Sequence, residues 1–271
     1  MPSILVIDSG VGGLSVCQSI MATSKVDKRP LKVIYFADDA FSPYGLLDEV
    51  ALENRLERIV TSMLTLHQPE LVVLACNTVS TLLLPHLRAQ FDVPFVGVVP
   101  AIKPAAKQSA SKRIGLLATP ATVNRKYTDE LIADYASDCE VLRVGSTDLV
   151  TQAEALLAGK TLVLSVIESV LTPFVKVDGQ TNVDTVVLGC THFPLLIKQL
   201  QALLPEVAWI DSGEAIAKRV HGLLEHEPTA ASEDCIHQIY FSKTLPNESI
   251  FKSALAQLGI LESELHLLKV H

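Results

Sequence analysis

Aromatic side chains are scarce in this chain: eight Phe, five Tyr and one Trp among 271 residues. With few rings, the core must be filled by aliphatic side chains, and 49% of the residues are hydrophobic. Aliphatic content of this kind suits parallel strands buried on both faces and covered by helices. Positive charge is also in short supply. The net charge of −8 argues against nucleic acid or an anionic membrane as the main partner. It leaves room for a small anionic substrate, held by local backbone and hydroxyl donors. No CxxC pair occurs among the five cysteines, Cys17, Cys76, Cys139, Cys190 and Cys235. That scatter speaks against a metal site or a disulfide framework and for a reducing cytoplasm. Met1-Pro2-Ser3-Ile4 lacks the basic flank of a signal peptide. Apolar stretches such as Leu71–Leu84 are broken by Asn77, Thr78 and Ser80, so no segment reads as a membrane span.

What the chain does contain is an alternation of short apolar runs with longer helical patterns. The expected strands are Ile4–Ile7, Lys32–Phe36, Leu71–Leu74, Phe95–Val98, Arg113–Leu117, Glu140–Val144, Thr185–Leu188 and Ala208–Ile210. Most end where small or polar residues begin, as parallel strands do when their C-terminal ends open onto a site. The clearest helix is Leu47–His67. Leu52, Leu56, Ile59, Val60, Met63 and Leu64 fall on one stripe, with Glu53, Arg55, Glu57 and Arg58 largely off it.

An internal repeat organises these elements. Glu70-Leu-Val-Val-Leu-Ala-Cys76-Asn-Thr78 resembles Asp184-Thr-Val-Val-Leu-Gly-Cys190-Thr-His192, 114 residues later. At a similar offset, the segment from Phe95 to Ile102 aligns loosely with that from Trp209 to Ile216. Short valine-rich strands look alike by chance, but here the whole pattern of acid, Val, Val, Leu, small residue and Cys recurs, with flanking elements in order. The eight strands therefore split into two sets of four. The expected fold is α/β, with two pseudo-symmetric domains, each a mainly parallel sheet flanked by helices, and an active site in the cleft between them. Residues 1–97 with 210–271 are expected to form the first domain, and 98–209 the second.

Each unit places one cysteine just past a buried strand, at the start of a helix. A helix N-terminus favours the thiolate through its unpaired N–H groups and dipole. Two thiols on opposite faces of one carbon suit an inversion, one removing a proton and the other returning it on the far side. Cys17, Cys139 and Cys235 lack the duplicated context and read as small buried hydrophobes. The turn Asp8-Ser9-Gly10-Val11-Gly12-Gly13 closes the first strand and opens a helix, where exposed N–H groups favour an anion. Its glycine spacing does not fit a GxGxxG dinucleotide fingerprint. Asp8 is open to two readings, a helix cap or a functional carboxylate. Pro43-Tyr44-Gly45 forms a constrained turn able to aim backbone N–H groups at a ligand.

Together these segments resemble the glutamate racemase family, within the wider aspartate/glutamate racemase superfamily. The matching motifs are Asp8 to Val16, Pro43-Tyr44-Gly45, Ala75-Cys76-Asn77-Thr78, Leu188 to Leu196 and Asp211-Ser212-Gly213. They agree in order and spacing from Ile4 to about Val220. The resemblance implies that Cys76 and Cys190 are the catalytic acid/base thiols, that Asp8 assists on the Cys76 side, and that His192 assists beside Cys190. Glu154 is a further polar assistant on the same grounds. Asp8, Ser9, Pro43, Tyr44, Gly45, Asn77, Thr78, Thr191 and His192 are implied substrate contacts, with Thr119 and Thr122 as hydroxyl donors from the second unit. Phe41 stands where many members carry Arg, so the pocket edge differs there. The implied reaction interconverts L- and D-glutamate for peptidoglycan synthesis in a cytoplasmic homodimer, with no metal and no cofactor.

Removing an α-proton without pyridoxal phosphate is difficult, and no Lys here sits in a recognisable pyridoxal context. Positioning, desolvation and stabilisation of carbanion charge must then lower the barrier. Other readings are a racemase for aspartate or another amino acid, a non-catalytic binder of an anionic metabolite, and a thiol redox protein. The paired cysteines weigh against the binder, and the lack of close cysteine partners in sequence weighs against redox chemistry.

Overall fold

The computed structural model describes residues 1–175, 179–224 and 236–270. Cys235 lies outside the described residues. In chain order the elements begin with β1 (Ser3–Asp8), α1 (Leu14–Asp27), β2 (Lys32–Ala37), α2 (Glu49–His67), β3 (Leu71–Leu74), α3 (Asn77–Gln90) and β4 (Phe95–Gly97). They continue with α4 (Ile102–Gln108), β5 (Arg113–Ala118), α5 (Pro120–Val123), α6 (Lys126–Tyr135), β6 (Glu140–Gly145), α7 (Asp148–Leu157), α8 (Leu164–Leu171), β7 (Thr185–Leu188), α9 (Ile197–Leu203) and β8 (Ala208–Ile210). The last elements are α10 (Gly213–Leu223), β9 (His237–Phe241), α11 (Glu248–Gln257) and β10 (Ser263–Leu267).

Two compact units result, one formed by Met1–Val98 with Gly213–His271 and the other by Val99–Ser212. The first holds a six-stranded sheet in the order β10-β9-β2-β1-β3-β4, and the second a four-stranded sheet in the order β6-β5-β7-β8. Every pairing between these strands is parallel. The aliphatic runs dictate this: β3 and β7 are buried at every residue, which leaves no solvent face for an antiparallel alternation.

The duplication extends to register. Ile4 pairs with Leu71 in the first sheet, and Ile114 with Thr185 in the second. Val72 pairs with Phe95, and Val186 with Trp209. The order β2-β1-β3-β4 is thus repeated as β6-β5-β7-β8. Ten strands are seen among the described residues rather than eight, because β9 and β10 extend the first sheet beyond β2. Their sequences, His-Gln-Ile-Tyr-Phe and Ser-Glu-Leu-His-Leu, mix polar and apolar residues and lack an aliphatic run. β9, α11 and β10 therefore belong to the first unit.

In α2, Asp48 caps the helix by accepting from the N–H groups of Val50 and Ala51. Leu52, Leu56, Ile59, Val60 and Met63 are fully buried, as their spacing predicts. Arg55 departs from the expected pattern, being only 6% exposed. It is drawn inward by an ion pair with Asp38, itself 0% exposed.

Candidate active site

In the first unit the site is assembled at the C-terminal ends of β1, β2 and β3. Asp8 is the last residue of β1 and is 1% exposed. One of its carboxylate oxygens, Oδ2, accepts from the N–H of Gly13 at 3.0 Å and from that of Gly10 at 3.4 Å. The carboxylate thus shapes the glycine turn from inside. Gly13 must be glycine, since a Cβ there would lie 2.8 Å from Cβ of Ala75 and 2.9 Å from the Tyr35 hydroxyl. That close approach brings the turn against the residue preceding Cys76. Tyr35 donates its hydroxyl to the carbonyl of Gly10 at 2.8 Å and so braces the same turn.

Cys76 follows β3 and is the N-cap of α3, 9% exposed. Its carbonyl accepts from the N–H of Ser80 at 2.9 Å, an α-helical bond. Asn77 and Thr78, the first two helical residues, are buried beside it. Cys76 therefore sits at the positive end of a 14-residue helix, where nearby negative charge is favoured. Burial, then the charge of Asp8, holds the Cys17 thiol neutral by pushing it far above its usual range. This fits Cys17 as a core residue.

The Pro43-Tyr44-Gly45 segment forms a 3-10 turn over Tyr44–Leu46. Tyr44 is buried and donates its hydroxyl to Asp38 at 2.8 Å. Burial and then the Asp38 carboxylate push its phenol well above the usual range, with smaller contributions from Cys76 and Asp8. Tyr44, Asp38, Cys76 and Asp8 therefore share one electrostatic neighbourhood.

In the second unit Cys190 follows β7 at the spacing Cys76 has from β3, and it is 8% exposed. The expected helix start is not found here. A turn leads into a 3-10 segment, Phe193–Leu196, and only then into α9. Pro194 explains the difference. It occupies the position of Ser80 in the repeat and has no N–H to donate to the Cys190 carbonyl. The N–H of Phe193 donates instead, at 3.1 Å, tightening the turn. That turn places Nδ1 of His192 3.9 Å from Sγ of Cys190. Nε2 of the same ring lies 3.5 Å from Oε1 of Glu154, carried on α7. His192 is 3% exposed, whereas Glu154 is 47% exposed. Thiol, imidazole and carboxylate thus stand in series, an order suited to moving a proton on or off sulfur.

Thr119 caps α5, its hydroxyl accepting from the N–H of Thr122 and lying 3.0 Å from the Thr122 hydroxyl. It closes β5 as Ser9 closes β1. Thr191 and Thr122 are buried, Gly45 is half-buried and Pro43 is exposed. Cys139 departs from its expected burial, being half-buried beside Asp138.

Sequence reasoning missed Tyr35, Asp38 and Arg55 as parts of the site's frame. The available signal was a Tyr inside an otherwise aliphatic strand and an Asp at a strand end, both of which need polar partners when buried. Among the described residues, one group has ligand atoms close enough to share a metal ion: Glu53, Glu57 and His86, half-buried on α2 and α3. Its His86 lies ten residues after Cys76, roughly 15 Å along α3.

The fold and site together define an α/β protein built on a duplicated parallel sheet, with one thiol at the end of each third strand. Residues 4–220 match the Asp/Glu/Hydantoin racemase family, and the chain belongs to that family. It is 48% identical to the glutamate racemase of Vibrio cholerae over 259 residues, covering 95% of this chain and 94% of that one. It is 44% identical to that of Sodalis glossinidius over 262 residues, covering 95% and 88%. Among solved structures, it is similar to Escherichia coli glutamate racemase in complex with L-glutamate and the activator UDP-MurNAc-Ala. The TM-score there is 0.88 at 43% identity, covering 100% of this chain and 99% of that one. No helix among the described residues is long and apolar enough to cross a membrane.

Proposed function

We propose that this protein racemises glutamate by a two-base route, with Cys76 and Cys190 attending opposite faces of the substrate α-carbon. The observation that carries the reading is the placement of one thiol at the matching strand end of each half of a duplicated fold. The similarity to glutamate racemases over nearly the whole chain supports glutamate as the substrate.

In each direction one sulfur, as thiolate, takes the α-proton, and the other, as thiol, gives a proton to the opposite face. After one turnover the two sulfurs have exchanged protonation states; the reverse reaction, or proton exchange with water once the product has left, returns them to the starting state. Asp8 holds the glycine turn beside Cys76. His192 accepts or returns the Cys190 proton, with Glu154 orienting the ring. Ser9, Asn77, Thr78, Thr119, Thr122 and Thr191, with the backbone of Pro43-Tyr44-Gly45, hold the carboxylates and the ammonium group. Closure around the substrate strengthens these interactions by excluding water. The reaction needs no pyridoxal phosphate and no metal. We place the enzyme in a bacterial cytoplasm, as a homodimer supplying D-glutamate for peptidoglycan.

The test is to incubate the purified protein with L- or D-glutamate in heavy water, without added cofactor. Circular dichroism is expected to decay to zero from either enantiomer, with deuterium appearing at Cα. Turnover of aspartate but not glutamate, or tight binding of glutamate without isotope exchange, would replace this reading.

A further inference from the structure

The mechanism makes no use of Asp38 and Arg55, yet both are buried and charged. Asp38 is the first residue past β2 and is 0% exposed. Its Oδ1 accepts from Nη2 of Arg55 at 2.6 Å, and its Oδ2 from Nε at 2.9 Å. The same Oδ2 accepts from the Tyr44 hydroxyl at 2.8 Å. The third guanidinium nitrogen, Nη1, donates to the carbonyl of Val270. The Arg55 guanidinium also lies over the Phe41 ring, 4.3 Å from its centroid. One planar cation therefore joins four segments of the first unit: the end of β2, the turn through Tyr44, α2, and the stretch after β10. Such fork-to-carboxylate geometry fixes direction as well as distance.

The consequence concerns Tyr44. Its hydroxyl is engaged by Asp38, and its ring is buried in the core of the first unit. The side chain of Tyr44 thus points into the protein's own frame, and what the turn offers a ligand is its backbone. We propose that Asp38 and Arg55 are positioning residues, which hold the Tyr44–Gly45 backbone at the angle needed to receive a substrate carboxylate, with Tyr44 as the anchor between pair and turn. This inference rests on the proposal that the turn contacts substrate. It differs from the ordinary expectation for a buried ion pair, which is that it fixes the fold and nothing else.

The experiment compares wild type with Tyr44→Phe, Asp38→Asn and Arg55→Lys, all as full chains and below their unfolding midpoints. Tyr44→Phe keeps the ring and removes one hydrogen bond to a charged group. Arg55→Lys keeps the charge and loses the fork. In each, KM for glutamate is expected to rise about tenfold, with kcat within about threefold of wild type. The double variant Tyr44→Phe/Arg55→Lys is expected to be no worse than the poorer single variant, since both act through one anchor. Amide exchange in the 43–47 segment is expected to quicken in all variants, while exchange in β3 stays unchanged. A merely structural pair would lower the unfolding midpoint and leave both KM and exchange at the turn as in wild type; that outcome overturns the inference. Should Arg55→Lys fail to fold, Tyr44→Phe and Asp38→Asn carry the same comparison. The exchange measurement separates this inference from the activity assignment. A wild-type protein that does not racemise glutamate removes the assignment, while the exchange result alone then decides whether the anchor exists.

Discussion

The two halves of this chain share a topology and a register but treat their cysteines differently. Cys76 is given the N-terminus of a long α-helix, with an Asp from a neighbouring strand end. Cys190 is given an imidazole two residues onward, backed by a carboxylate from α7. Substitutions within the repeat separate the two solutions: Asp8 faces Ala118 in the alignment, Thr78 faces His192, and Ser80 faces Pro194. Where the first half has Ser80, whose N–H closes an α-helical turn on Cys76, the second has Pro194, which cannot. His192, which matches Thr78 in the repeat, lies just before the resulting 3-10 segment, with its Nδ1 3.9 Å from sulfur. A duplicated fold thus supplied two equivalent places, and the residues around them made the two electrically distinct, with Pro194 setting the turn in the second. The proposed reaction does not require symmetric assistants, only that each sulfur can exist with and without its proton.

The comparison breaks most completely if either sulfur proves dispensable. Cys76→Ala and Cys190→Ala are each expected to lower racemisation about a thousandfold in a circular dichroism assay. Full activity in either variant would leave the halves equivalent in shape alone. A smaller effect sharpens the asymmetry. Asp8→Asn and His192→Asn are each expected to cost about a hundredfold in kcat. Asp8→Asn should also lower the unfolding midpoint, since Asp8 holds the N–H groups of Gly10 and Gly13.

Next in size is a pH effect confined to the strands that only the first half possesses. His237 opens β9 and accepts the Val33 N–H on Nδ1 at 3.2 Å. Burial, helped by Lys25 and Lys32, lowers its pKa to about 4 from 6.5. A histidine held neutral in the fold is protonated more readily when unfolded. Its contribution is therefore complete above pH 6.5 and is lost as pH falls from there toward 4. Between pH 7 and 5 this amounts to about 2 kcal/mol. His237→Gln, which keeps an acceptor that does not titrate, is expected to flatten that slope in urea unfolding. An unchanged slope would move the effect to other groups. The smallest expected change is at Glu154, half in solvent and 3.5 Å from His192. Glu154→Gln should lower kcat by less than about threefold and shift the pH profile of the Cys190-directed step.

Much of this architecture was legible before any coordinates. β1, β3, β5 and β7 are aliphatic runs buried at nearly every residue, and the cysteine repeat marks equivalent strand ends. Contacts between distant residues were not legible. Arg55 lies off the apolar stripe of α2 by periodicity, and only its pairing with Asp38, seventeen residues earlier, makes its burial possible. β9 and β10 carry too few aliphatic residues to stand out, and they become strands because β2 offers a paired edge. The break in helix geometry after Cys190 was written plainly in Pro194, since a missing N–H has a fixed consequence.

One feature of the connectivity bears on how the molecule is made. The second unit is one continuous stretch, Val99–Ser212, whereas the first is divided around it. α10 packs on α1, and β9 pairs with β2, so the opening segment remains incomplete until residues beyond 237 have been synthesised. On the ribosome the middle of the chain has every partner it needs first, and the beginning finishes last. The nascent N-terminal sheet therefore carries an open β2 edge while well over a hundred residues emerge, a liability of synthesis that the finished fold no longer has.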